Sequence, residues 1–159
     1  MASFADEPFP DSTDGEVELF LHWLRYLRGA VVRNLSGLDD DQVRWTPEGR
    51  LIPLIGIVNH LTHVEWRWID GCMRGEDVSR REAEFRPGPE RTLDEALAAY
   101  RRRADDTDAA VRSMPITQVS STDPDKDLRW VLLHLINETA RHAGHADATR
   151  EMLDGTTGA

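Results

Sequence analysis

Glu138 and His142 stand four residues apart in the stretch Glu138-Thr139-Ala140-Arg141-His142-Ala143-Gly144-His145-Ala146-Asp147. Its flanks have a strong helical pattern. At roughly 100° per residue, Leu128, Val131, Leu132, Leu135, Thr139, Ala143, Ala146 and Leu153 form one face. Glu138, His142 and His145 fall on or beside that same face. A carboxylate and two imidazoles therefore project toward what should be core. A buried charge without a partner is costly, so these groups need one. A metal ion is the simplest single partner for all of them. Carboxylate oxygen and imidazole nitrogen are good zinc ligands, and they also suit nickel, iron and manganese.

Two ligands do not make a site, and a second helical segment offers a third. It reads Asn59-His60-Leu61-Thr62-His63-Val64-Glu65. His60 flanks the apolar stripe beside Ile57 and Val64, whereas His63 lies roughly 140° from its centre. His60 is the better inward candidate. Glu65 also faces inward, as a ligand, as an acceptor behind a ligand, or as an ion-pair partner for Arg141. One ligand from the second helix and two from the fourth leave positions open on the metal, the pattern of a catalytic site.

Each residue also has a plainer reading. An inward histidine is often a hydrogen-bonded core residue. Glu138 with Arg141 or Arg67 would be a buried ion pair, which carries little functional information. His134, at the edge of its stripe, is a secondary ligand candidate. His22, among Phe20, Leu21 and Trp23, has no companion ligand and reads as structural. Cys72 falls on a core stripe and reads as packing. The sequence contains no His-Glu-x-x-His protease motif, no Gly-rich phosphate loop and no Gly-x-Ser-x-Gly motif. A di-iron bundle needs Glu-x-x-His pairs; here the inward pair, Glu138 and His142, has the spacing Glu-x-x-x-His.

Four helical segments must position these groups. The first spans about Gly15 to Leu35, with Val17, Phe20, Leu21, Leu24, Leu27, Val31 and Leu35 at helical spacing. The second spans about Pro53 to Arg74, its stripe being Leu54, Ile57, Val58, Leu61, Val64, Trp68 and Cys72. The third spans about Leu93 to Ser113, and Thr92 with Glu95 has the spacing of a capping box. The fourth spans about Asp127 to Leu153, with Gly155 suited to follow its end. No convincing strand or repeat is present. The expectation is an all-α four-helix bundle, with the long Gly75–Arg91 connection as a crossover between helices 2 and 3. Residues 1–14 read as an N-terminal tail and 15–155 as a single domain.

The formal net charge is −10, with no basic block. That argues against nucleic acid and anionic membrane as partners. Arg101-Arg102-Arg103, followed by Asp105 and Asp106, reads as a solvated helix face. The chain has a single cysteine, so an intramolecular disulfide is impossible. Met1–Thr13 has neither the basic start nor the apolar run of a signal peptide, and no apolar run is long enough to span a bilayer. A cytoplasmic protein is expected.

Two segments together resemble the DinB/YfiT-like superfamily of metalloenzymes, in the branch related to mycothiol-dependent maleylpyruvate isomerase. One is Gly56-Ile57-Val58-Asn59-His60-Leu61-Thr62-His63-Val64-Glu65; the other runs from Leu133 to Asp147. The resemblance extends from about Phe20 to Gly155. It implies one divalent metal, zinc first among the choices, held by His60, Glu138 and His142. Many members have histidine at the position of Glu138; the glutamate here is similar to the isomerase-like branch. The resemblance further implies a low-molecular-weight thiol such as mycothiol as cosubstrate, with Arg141 and His145 near the ligands to bind substrate or hold a ligand's orientation. A further C-terminal domain of the isomerase-like kind is not expected. The expected activity is therefore general thiol transfer to small electrophiles, with a non-enzymatic metal- or ligand-binding bundle as the alternative. By analogy with other helical bundles, a homodimer is expected.

Overall fold

The computed structural model describes residues 4–11, 15–79 and 82–158. Its main elements are α1 (Glu16–Arg33), α2 (Leu54–Trp66), α3 (Leu93–Arg112) and α4 (Leu128–Asp154), with short 3-10 turns between them. The described residues form no strand, only an isolated antiparallel bridge between Val119 and Asp127. Among the described residues, no helix is long and apolar enough to cross a membrane. α1 packs on α4, and α2 packs on both α3 and α4.

The helix ends follow local chemistry. The Thr92 hydroxyl accepts from the Glu95 amide, and the Glu95 carboxylate accepts from the Thr92 amide, completing the capping box of α3. Asp127 accepts from the Trp130 amide at the start of α4. Gly155 closes α4 in the left-handed conformation, at φ 80°.

The second predicted helix is not α throughout. After Trp66 it continues as a seven-residue π-helix, Arg67–Met73. This moves the buried stripe by one position. Val64, Ile69 and Met73 are buried, whereas Trp68 and Cys72, expected on that stripe, are only half-buried. Val64 and Ile69 are five residues apart, the hydrogen-bonding interval of a π-helix. Gly71 makes room for Val78, whose Cγ2 would lie 2.3 Å from a Cβ there.

The core has two apolar clusters. One contains Val31, Leu54, Ile57, Leu61 and Tyr100; the other contains Leu24, Val64, Ile69, Val111, Leu132 and Leu135. Among these apolar residues, α1, α2 and α3 each bring in a buried charge. Arg28 is fully buried and donates to both oxygens of Glu65 at 2.8 Å and to Asp108 Oδ1 at 2.9 Å. Arg25 donates to the other Asp108 oxygen at 2.9 Å. Burial works against the Arg28 charge, but the two carboxylates outweigh it and hold its pKa above the ordinary value. Glu65 is therefore neither a metal ligand nor a partner for Arg141. The arginine run also divides: Arg101 and Arg102 are exposed, while Arg103 pairs with buried Asp70.

Arg28→Met leaves two buried carboxylates without that cation. It should cost about 3–5 kcal/mol, read as a lower urea midpoint. Replacing Arg28, Glu65 and Asp108 together by apolar residues should cost less than Arg28→Met alone.

Candidate metal centre

His60 projects from α2, and Glu138 and His142 project from successive turns of α4. His60 Nε2 and His142 Nε2 each stand 3.7 Å from Glu138 Oε2. One ligand atom from each residue lies within 4.8 Å of the other two. These gaps are too long for hydrogen bonds. They are close to what a shared ion needs: tetrahedral ligands at about 2.0–2.1 Å from zinc stand about 3.4 Å apart. The imidazoles are nearly buried, while the Glu138 side chain is 21% exposed, so the cluster has an open side.

The orientation of His60 is set by a residue that helical periodicity did not reveal. Glu84 lies in a 3-10 turn, Glu82–Phe85, within the long connection. Its Oε1 is 2.6 Å from His60 Nδ1. A carboxylate only accepts, so Nδ1 carries the proton and Nε2 presents its lone pair to the cluster. Arg67, at the start of the π segment, donates to both Glu84 oxygens at 2.6 and 2.9 Å. Burial pushes the Glu84 carboxyl up, but the Arg67 and His60 hydrogen bonds bring it below its ordinary value. Glu84 is ionised, and Arg67 is its partner rather than Glu138's.

The turn is seated on α2 by close contact. A Cβ at Gly56 would lie 1.9 Å from the Phe85 carbonyl oxygen, so only glycine admits the turn at this distance. Asn59 Nδ2 donates to the Glu84 carbonyl at 2.8 Å. The Phe85 ring stacks on His60 at 4.2 Å and an interplanar angle of 27°. Gly56 inside a helical pattern was the one available sign of a close approach.

Both imidazoles remain neutral donors. Burial lowers the His60 pKa despite the pull of Glu84. Burial, then the neighbouring His60, lowers that of His142 to about 4. His142 Nδ1 is buried and has no hydrogen-bond partner among the described residues. Such an atom calls for an explanation; it shows that the ring is not held by an ordinary core hydrogen bond. Nor does an arginine pair with Glu138 among the described residues. With no such arginine, and with both Nε2 atoms facing Glu138 beyond hydrogen-bond range, the donor set fits a divalent cation better than a closed ion pair.

The other candidates lie around this cluster. Arg141 and His145 are exposed, and the His145 ring meets His142 edge-on at 5.4 Å. His134, one turn before Glu138, is packed between Trp68 at 4.4 Å and Trp130 at 5.3 Å. The His63 Nδ1 is 2.7 Å from the Asn59 carbonyl, and His63 lines a cavity of about 430 Å³ together with Asn59, Glu84, Glu90, Arg91 and Glu95.

A family model described as mycothiol-S-transferase matches residues 19–155. The chain belongs to the mycothiol S-transferase family. The match spans nearly all of α1, the whole of α2 to α4, and every residue of the cluster with its Glu84 support. No curated protein matches the chain. In this mycothiol S-transferase family member, the long connection between α2 and α3 is thus part of the candidate centre.

Two outcomes are expected. Glu84→Gln keeps the shape but removes the charge that fixes His60. Zinc affinity should fall about 10- to 100-fold, measured by chelator competition, and Gly56→Ala should lower it too, with unchanged helical circular dichroism. In the pH test, the unfolded chain binds a proton at His142 near the ordinary value of 6.5, and the folded chain only near 4. Metal-stripped protein should therefore lose stability as pH falls through that window. His142→Gln should show a shallower loss in urea unfolding.

Proposed function

We propose that this protein is a metal- and thiol-dependent S-transferase, joining a low-molecular-weight thiol such as mycothiol to small electrophiles. The observation that carries the reading is the open His60–Glu138–His142 cluster in a chain of the mycothiol S-transferase family. In this reading those three residues hold one divalent ion, zinc first, with nickel, iron or manganese able to replace it. Such an ion, when bound, supplies positive charge that favours thiolate over thiol at neutral pH.

The chain's own residues supply the rest. Glu84 keeps the Nδ1 proton on His60 and so directs Nε2 inward. Phe85 covers one face of His60 and keeps water from it. Glu138 offers its carboxylate at the exposed side, where thiol and electrophile can enter. Arg141, exposed one residue before His142, binds an anionic group on the electrophile. His145, beside the His142 ring, steadies that ligand or a substrate. The same reading takes residues 15–155 as one four-helix-bundle domain with a crossover between α2 and α3. It places the protein in the cytoplasm, where small thiols stay reduced.

The first test is metal per chain by elemental analysis. Wild type should hold about one equivalent of metal, as one three-ligand open site predicts, and His142→Ala should hold almost none. Glu138→Gln should lose metal yet keep its helical circular dichroism, because the apolar core remains. Calorimetry should detect mycothiol binding to the metal-loaded protein and not to Glu138→Gln. No metal after incubation with zinc, nickel or manganese would overturn the reading.

A further inference from the structure

A second cavity, of about 530 Å³, opens where the π-helix meets the loop before α4. Its lining includes Arg67, Trp68, Cys72, Glu76, Asp77 and Asp123. Small-molecule sites typically occupy about 300–1,000 Å³, so a ligand of ordinary size fits.

Two chains of contact join this cavity to the candidate metal centre. Arg67 lines the cavity and grips Glu84, which holds His60. Trp68 lines the cavity and packs on His134, one helical turn before Glu138. Seven residues of α-helix rise about 10 Å and four rise about 6 Å. At Arg67 the cavity wall is thus about two turns from His60, and His134, which packs on the wall residue Trp68, is one turn from Glu138.

We propose that this cavity binds the sugar and polyol portion of the thiol cosubstrate, with the thiol arm reaching back to His60, Glu138 and His142. The proposal rests on the thiol-transferase reading above. Mycothiol carries its cysteinyl sulfur on a glucosamine–inositol unit. Five bonds separate the sulfur from the sugar ring, an extended reach of about 6 Å. That reach equals the one-turn rise from His134, on which the wall residue Trp68 packs, to Glu138.

The lining chemistry favours a neutral polyol. The Trp68 indole offers a flat apolar face for the C–H side of a pyranose. Glu76 and Asp77 are exposed, and neither carboxylate pairs with another described residue, so both can accept from hydroxyls. Both terminal nitrogens of Arg67 are already engaged by Glu84. An anion would meet carboxylates with little cationic compensation, and a wholly apolar ligand would strand them.

The test uses the thiol-free glucosaminyl-inositol as probe, beside intact mycothiol. The probe should bind metal-free and metal-loaded protein alike in calorimetry. It should also slow iodoacetamide alkylation of Cys72, which lines the cavity and is the chain's only cysteine. Trp68→Ala should weaken probe binding about tenfold through lost stacking. The double variant E76Q/D77N, at exposed positions that do not threaten folding, should weaken it about tenfold through lost charged acceptors. If metal-loaded wild type binds mycothiol and both variants bind it equally tightly, the cavity proposal is overturned while the thiol-transferase reading stands. If no metal-loaded form binds mycothiol, both fall.

Discussion

A neutral imidazole has one lone pair, and whatever bonds to its other nitrogen decides where that lone pair points. At His60 the decision is made by Glu84, a loop carboxylate with its side chain 1% exposed. Burying that charge requires compensation, which Arg67 supplies with a two-pronged contact. The turn carrying Glu84 can lie so close to α2 only because Gly56 has no side chain. Gly56, Asn59, His60 and Arg67 thus recur along the side of one helix that receives the turn. Helix and loop form a single unit, and the inward face of His60 depends on both.

Two polar systems occupy the interior, and they differ in how far their bonds are completed. Arg28, Glu65 and Asp108 form a closed set at 2.8–2.9 Å. It joins α1, α2 and α3 in the interior. Glu138 also points inward, but its nearest imidazole nitrogens remain at 3.7 Å. A closed network holds helices together. An open one has capacity for something else. Glu65 and Glu138 are both carboxylates on inward helix faces, so only their surroundings separate a structural role from a chemical one.

Much of this was legible in the sequence because helical periodicity reports which face a residue occupies. It brought out the four long helices, the cap formed by Thr92 and Glu95, and the inward turn of His60, Glu138 and His142. It could not reveal Glu84, which sits in a connection with no period of its own. Nor could it choose the partner of Glu65, because Arg28 lies 37 residues away on another helix. Single-helix patterns place a side chain on a face; they do not say which residue of a neighbouring helix meets it.

The π segment is the deeper reason for the remaining discrepancy. A regular α-helix would place Trp68 and Cys72 in line with Val64, which is how their spacing reads. Passing from Val64 to Ile69 through a π turn advances the core stripe by one residue. Ile69 and Met73 then complete the lower core, and Trp68 and Cys72 are turned toward the cavity. π segments are uncommon and occur often at functional sites. Here the change of period does two things together: Arg67 holds Glu84 beside His60, and the next residue, Trp68, becomes a wall of the neighbouring cavity. A one-residue change of phase thus couples the geometry of the candidate metal ligand to the shape of the space beside it.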